Sequence, residues 1–88
     1  MQTVFKYSLS SHKISEVQLP VGAKVLRIDL QNGSPFIWAL VDTDAKTEIR
    51  TFEIYGTGHQ IPDGNRTFIN TFFVHDGEFV FHAFERLK

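Results

Sequence analysis

Eighty-eight residues with a formal net charge of −1 and a sequence pI near 6.4 leave room for one domain, residues 1–88, without the cationic surplus of a bulk nucleic-acid or anionic-membrane binder. Cysteine is absent, which excludes disulfides, zinc–thiolate sites and thiol catalysis. The hydrophobic share of 42% is that of a globular chain rather than a disordered one. No apolar run approaches the roughly 18 residues of a membrane span and the amino terminus has no signal-peptide core, so a cytoplasmic location is expected.

Nine Phe, two Tyr and one Trp make 14% of the chain, and Val, Ile and Thr fill many neighbouring positions. Such residues suit a pleated surface and lose rotamer freedom in a helix. No stretch sustains helical periodicity without a Gly, Pro or turn cluster. Residues 3–9 alternate Phe5, Tyr7 and Leu9 against Val4, Lys6 and Ser8, which predicts a first strand. Residues 10–13 are polar and read as a loop. Residues 14–19 read as a second strand, and Pro20, which cannot donate to a ladder, places it at an edge or strand end. After a Val21-Gly22 turn, residues 23–31 set Leu26, Ile28 and Leu30 against Arg27, Asp29 and Gln31, the pattern of a half-buried strand.

Asn32-Gly33 accepts positive φ at both positions, as a two-residue type I′ hairpin requires. That turn predicts the pairs Gln31/Ser34, Asp29/Phe36, Arg27/Trp38 and Val25/Leu40. It also predicts a core face of Leu26, Ile28, Leu30, Ile37, Ala39 and Val41, with the Arg27 guanidinium over the Trp38 indole. Residues 42–46 form a polar loop and residues 47–55 the next strand. Residues 56–65 hold three of the six glycines, in a connection longer than most in so small a domain. Residues 66–75 and 78–86 form a second hairpin about Asp76-Gly77. Its predicted core face carries Phe68, Phe72, Val74, Phe79, Phe81 and Ala83. The opposite face carries Ile69, Phe73, Val80 and Phe84 with Thr71, His75 and His82, too apolar for open solvent, so a homodimer or higher homo-oligomer is expected. The fold class is therefore all-β, a small antiparallel sandwich or barrel of six or seven strands.

His75 and His82 with Glu78 do not make a metal site, because pairing sets His82 opposite Thr71 and far up the strand from Glu78. Asp42, Asp44 and Glu48 lack the spacing and central glycine of a calcium loop, and their expected role is to bond local backbone. No nucleophile–base pair stands out, so no enzymatic activity, metal or cofactor is expected. The strongest site candidate is the glycine-rich loop. Successive N–H groups of Gly56, Thr57 and Gly58 can form an anion-binding concavity, beside the His59 imidazole and with Arg50 and Arg66 on the flanking strands as bidentate donors. Tyr55, Trp38 and, through its pairing, Arg27 complete the candidate set as stacking and cationic surfaces.

The segments Leu19-Pro20-Val21-Gly22-Ala23-Lys24-Val25-Leu26, Gln31-Asn32-Gly33, Trp38-Ala39-Leu40-Val41-Asp42 and Arg50-Thr51-Phe52-Glu53-Ile54-Tyr55-Gly56-Thr57-Gly58-His59 resemble a group of short, mostly uncharacterised phage-encoded β-rich proteins. The resemblance runs over nearly the whole chain. It implies a phage origin and, by analogy with other small phage proteins, action against host defence. The expected function is a counter-defence binding protein that sequesters a small anionic, nucleotide-derived signal in the host cytoplasm. The alternatives are a protein–protein inhibitor of a host defence complex and a phage accessory structural module.

Overall fold

The computed structural model describes residues 1–87, which form seven antiparallel strands in two packed sheets with no helix. The strands are β1 (Gln2–Ser8), β2 (Ile14–Pro20), β3 (Lys24–Gln31), β4 (Ser34–Asp42), β5 (Thr47–Gly56), β6 (Arg66–Val74) and β7 (Phe79–Arg86). One sheet has the order β1-β4-β3 and the other β2-β5-β7-β6. The architecture is the small all-β sandwich that the alternation predicts. Pro20 ends β2, an edge strand, where its missing N–H leaves no ladder bond unmade.

The core lies between the sheets. Ile28, Ile37, Ala39 and Val41 meet Val17, Leu19, Phe52, Ile54, Phe72 and Ala83, all buried. The Asn32-Gly33 turn takes the expected form, and the Asp76-Gly77 turn does so with one difference, a left-handed His75 (φ 54°) before it. Asn32 and Gly33 have φ of 53° and 80°, and Asp76 and Gly77 have 55° and 90°, so each pair has the positive φ values of a type I′ hairpin. The acidic loop after β4 also behaves as expected, with the Asp44 N–H bonding Asp42 Oδ1 at 3.0 Å.

Two bulges correct the predicted faces. In the first hairpin the register is as expected from Gln31/Ser34 to Arg27/Trp38, then shifts: Val25 pairs with Ala39 rather than Leu40, and Lys24 takes Leu40. Leu26 is the extra residue and is exposed, so it leaves the core face and Val25 turns inward against it. In the second hairpin Phe68 pairs with Phe84 and Asn70 with Ala83. Ile69 is left over and packs on the core, whereas Phe68, predicted inside, is 55% exposed. A bulge adds one residue to one strand and reverses the parity of everything beyond it.

The second bulge has a structural use. Asn70 reaches the edge strand β3 and accepts from the Ile28 N–H at 2.8 Å while donating to the Ile28 carbonyl at 2.8 Å. The carboxamide acts as a missing strand and ties the two sheets together. A further correction concerns Arg27, whose guanidinium pairs with Asp29 at 2.9 Å instead of covering Trp38. On that face the cation over a ring is Lys6, 4.6 Å from the Phe36 centroid.

Candidate functional site

Strands β5 and β6 both lie antiparallel to β7, so they run parallel and the connection 57–65 must carry the chain back along the sheet. Its start is fixed by the Thr57 N–H on the Val80 carbonyl at 3.0 Å and by the His59 N–H on the Gly56 carbonyl at 3.0 Å. Its end is gripped by Arg66, which donates from Nη1 to the Pro62 carbonyl at 2.7 Å and from Nε to Glu53 Oε1 at 3.0 Å. The Leu87 N–H completes the anchoring on the Asn65 carbonyl at 2.9 Å.

Glu53 is the hub of that anchoring. Alternation along β5 points it to the outer face, yet it is 0% exposed. The Tyr55 hydroxyl donates to its Oε1 at 2.6 Å, and Arg86 Nε donates to its Oε2. Burial pushes the carboxyl pKa up, but the bonds from Tyr55 and Arg86 and the charges of Arg66 and Arg86 outweigh it, and the net shift is downward. The Tyr55 phenol is pushed up, first by burial and then by its bond to Glu53.

His59 folds back over Gly56. A Cβ built on Gly56 would lie 2.8 Å from the His59 Cε1 and 2.9 Å from its Nδ1, closer than real side chains approach, so the missing side chain at 56 is what seats the ring. On one side of this imidazole opens a cleft of about 440 Å³, lined by His12 and Lys13 from the β1–β2 loop, by Tyr55 and Gly56, by His59 and Pro62, and by Phe81. The Lys13 carbonyl accepts from the Ile54 N–H at 2.8 Å, which docks the β1–β2 loop on β5. The Ser15 hydroxyl donates to the Ser11 carbonyl at 3.2 Å and accepts from the Ser11 N–H at 3.1 Å, stiffening the same loop.

The chemistry of the cleft is one-sided. Lys13, His12 and His59 line it together with Tyr55 and Phe81, and no Asp or Glu is among its lining residues. A smaller apolar notch of about 40 Å³, bounded by His12, Leu30, Ile54, Phe72 and Phe81, adjoins it. A lysine and imidazole N–H donors around an apolar wall suit a ligand with an anionic group and a flat apolar part.

Of the residues singled out in the sequence, Tyr55, Gly56 and His59 come together at the cleft. Thr57 and Gly58 form the turn beside it, and Thr57 Oγ1 lies 2.8 Å from His82 Nε2. Arg66 holds the loop in shape. Arg50 lies at the other end of β5, where Nε and Nη2 bond the Glu85 carboxylate at 2.6 and 2.7 Å and Nη1 bonds the Ala23 carbonyl at 2.6 Å. That bidentate grip, first, raises the Arg50 pKa. Arg27 and Trp38 belong to the other sheet, on its outer face. His12 and Lys13 are additions that the sequence does not announce: they sit in a short polar loop, and only the pairing of β2 with β5 brings them beside His59.

Among the described residues no cluster of three or more His, Asp or Glu could hold a metal ion, and no helix is long and apolar enough to cross a membrane. No curated protein and no solved structure matches the chain significantly. One family model matches it over residues 1–88, and the chain accordingly belongs to the family described as a domain of unknown function, DUF7352.

Proposed function

We propose that the protein binds a small anionic ligand of nucleotide size in the cleft between the β1–β2 loop and the loop 57–65. The observation that carries this reading is the convergence of Lys13, His12 and His59 on one concavity without an opposing carboxylate. Its volume, about 440 Å³, lies within the range of ligand pockets. Tyr55 and Phe81 supply apolar and aromatic surface for a ring; the His59 imidazole keeps an N–H to donate in either protonation state, whereas His12 already turns Nε2 to the Gly33 carbonyl at 3.4 Å. Binding of this kind suits a sequestering role, and the resemblance to phage-encoded proteins suggests its setting: withdrawal of a nucleotide-derived defence signal in the host cytoplasm.

Isothermal titration with inorganic phosphate, mononucleotides and cyclic dinucleotides tests the reading. At least one nucleotide should bind, and His59→Ala and Lys13→Ala should each weaken it by about 10- to 150-fold through loss of a charge-assisted contact. Absence of binding across the panel, or binding indifferent to both substitutions, would overturn it.

A further inference from the structure

The outer face of the β6–β7 hairpin presents large apolar side chains to the open. Phe73 is 65% exposed and Phe68 55% exposed. Phe68 packs edge-on against Phe84 at 5.6 Å between centroids, and Phe73 pairs with Val80 across the ladder. The polar groups within this face are already satisfied. His82, at its centre, has Thr71 Oγ1 2.9 Å from Nδ1 and Thr57 Oγ1 2.8 Å from Nε2. Covering the centre of the face therefore does not strand the His82 ring.

The charges are arranged end to end. Arg66 and Arg86 are ladder partners at one end of the hairpin and share the carboxylate of Glu53, and the Arg86 side chain remains 48% exposed there. The tight turn at the other end carries Asp76 and Glu78, both exposed. A two-fold axis through the Thr71/His82 pair exchanges these ends. It lays Phe73 of one copy over Phe68 of the other, Val80 over Phe84, and Glu78 over Arg86. Each residue then meets its chemical complement, as an isologous interface requires.

We infer that this face joins two copies of the chain, antiparallel hairpin on hairpin, into a homodimer. The occupant is a second copy rather than a foreign protein because the face carries an exposed Arg86 at one end and the acidic Asp76 and Glu78 turn at the other, so an antiparallel copy brings opposite charges together at both ends. The ligand cleft adjoins this face through Tyr55 and Thr57, but Phe73 and Glu78 line the face and not the cleft, so the variants below test dimerisation apart from the binding proposal.

Sedimentation equilibrium on the full chain at micromolar concentration tests the inference. The expected mass is twice the 10.1 kDa of the chain. Phe73→Glu, at an exposed site, should give a folded monomer by circular dichroism. Glu78→Lys, on the turn, should weaken association several-fold and most strongly at low salt. If Phe73→Glu fails to fold, Glu78→Lys alone decides. A monomeric wild type, or a dimer unmoved by Phe73→Glu, would overturn the interface. A dimer lost in Phe73→Glu but untouched by Glu78→Lys would overturn its antiparallel arrangement.

Discussion

Gly56 and His59 occupy what would otherwise be one space: the imidazole lies where a side chain at position 56 would sit, 2.8 Å from the nearest ring atom. The backbone of Gly56 lies outside the left-handed region, so alanine is acceptable there in conformation and unacceptable only to the ring. Gly56→Ala should therefore leave the thermal midpoint unchanged or slightly raised, since it lowers unfolded-state entropy by an amount worth about 0.4–1 kcal/mol. The ring must swing away, and nucleotide affinity should fall. Differential scanning calorimetry and titration calorimetry on one sample separate the two effects. Unchanged affinity would mean that the seating of His59 has no part in binding.

Arg50 illustrates the opposite division. Its guanidinium is half-buried and fully engaged by Glu85 and the Ala23 carbonyl. Arg50→Ala should cost about 1–3 kcal/mol in a urea melt, because a charged hydrogen-bonded pair is broken and its partners are left behind. Ligand affinity should not change. A stable Arg50→Ala variant with weakened binding would return Arg50 to the site.

Glu53 makes the fold acid-sensitive in a stated direction. Its folded pKa is held below the ordinary glutamate value. The stabilisation is therefore fully present above that ordinary value and is lost as pH falls through the lowered one. Glu53→Ala should remove it at every pH, at a cost of about 3 kcal/mol or more, because Arg66 and Arg86 lose their common partner. Urea melts of wild type and Glu53→Ala between neutral and acid pH check both points. Parallel pH curves for the two proteins would contradict the role of the carboxylate.

Asn70 closes the sandwich through both backbone groups of Ile28. Asn70→Ala should cost about 2 kcal/mol or more, since the N–H and C=O of buried Ile28 lose their partners at once. Amide exchange at Ile28 should quicken in the variant. Unaltered exchange there would mean that the carboxamide merely accompanies the bulge.

Local chemistry was legible in the chain. Asn32-Gly33 and Asp76-Gly77 specify their turns by residue type alone, and alternation about those turns gives the strands and most of the core. The bulges at Leu26 and Ile69 are not local. Leu26 and Val25 are both apolar, as are Phe68 and Ile69, so hydrophobicity cannot say which of each pair turns inward; the opposite sheet decides. Glu53 reads as a solvated outward acid until Arg66 and Arg86, distant in sequence, close over it. The same holds at the cleft: composition marks Gly56 and His59, whereas His12 and Lys13 join them only because β2 pairs with β5.

The most direct measurement of the binding site is a nitrogen-edited NMR titration of the isotopically labelled protein with a mononucleotide and a cyclic dinucleotide. The amides of His12, Lys13, Gly56, Thr57, Gly58 and His59 should shift together along one saturable curve, while those of Arg27, Trp38 and Arg50 stay in place. Shifts confined to the outer face of the β1-β4-β3 sheet, or none with either ligand, would contradict an anion site in this cleft.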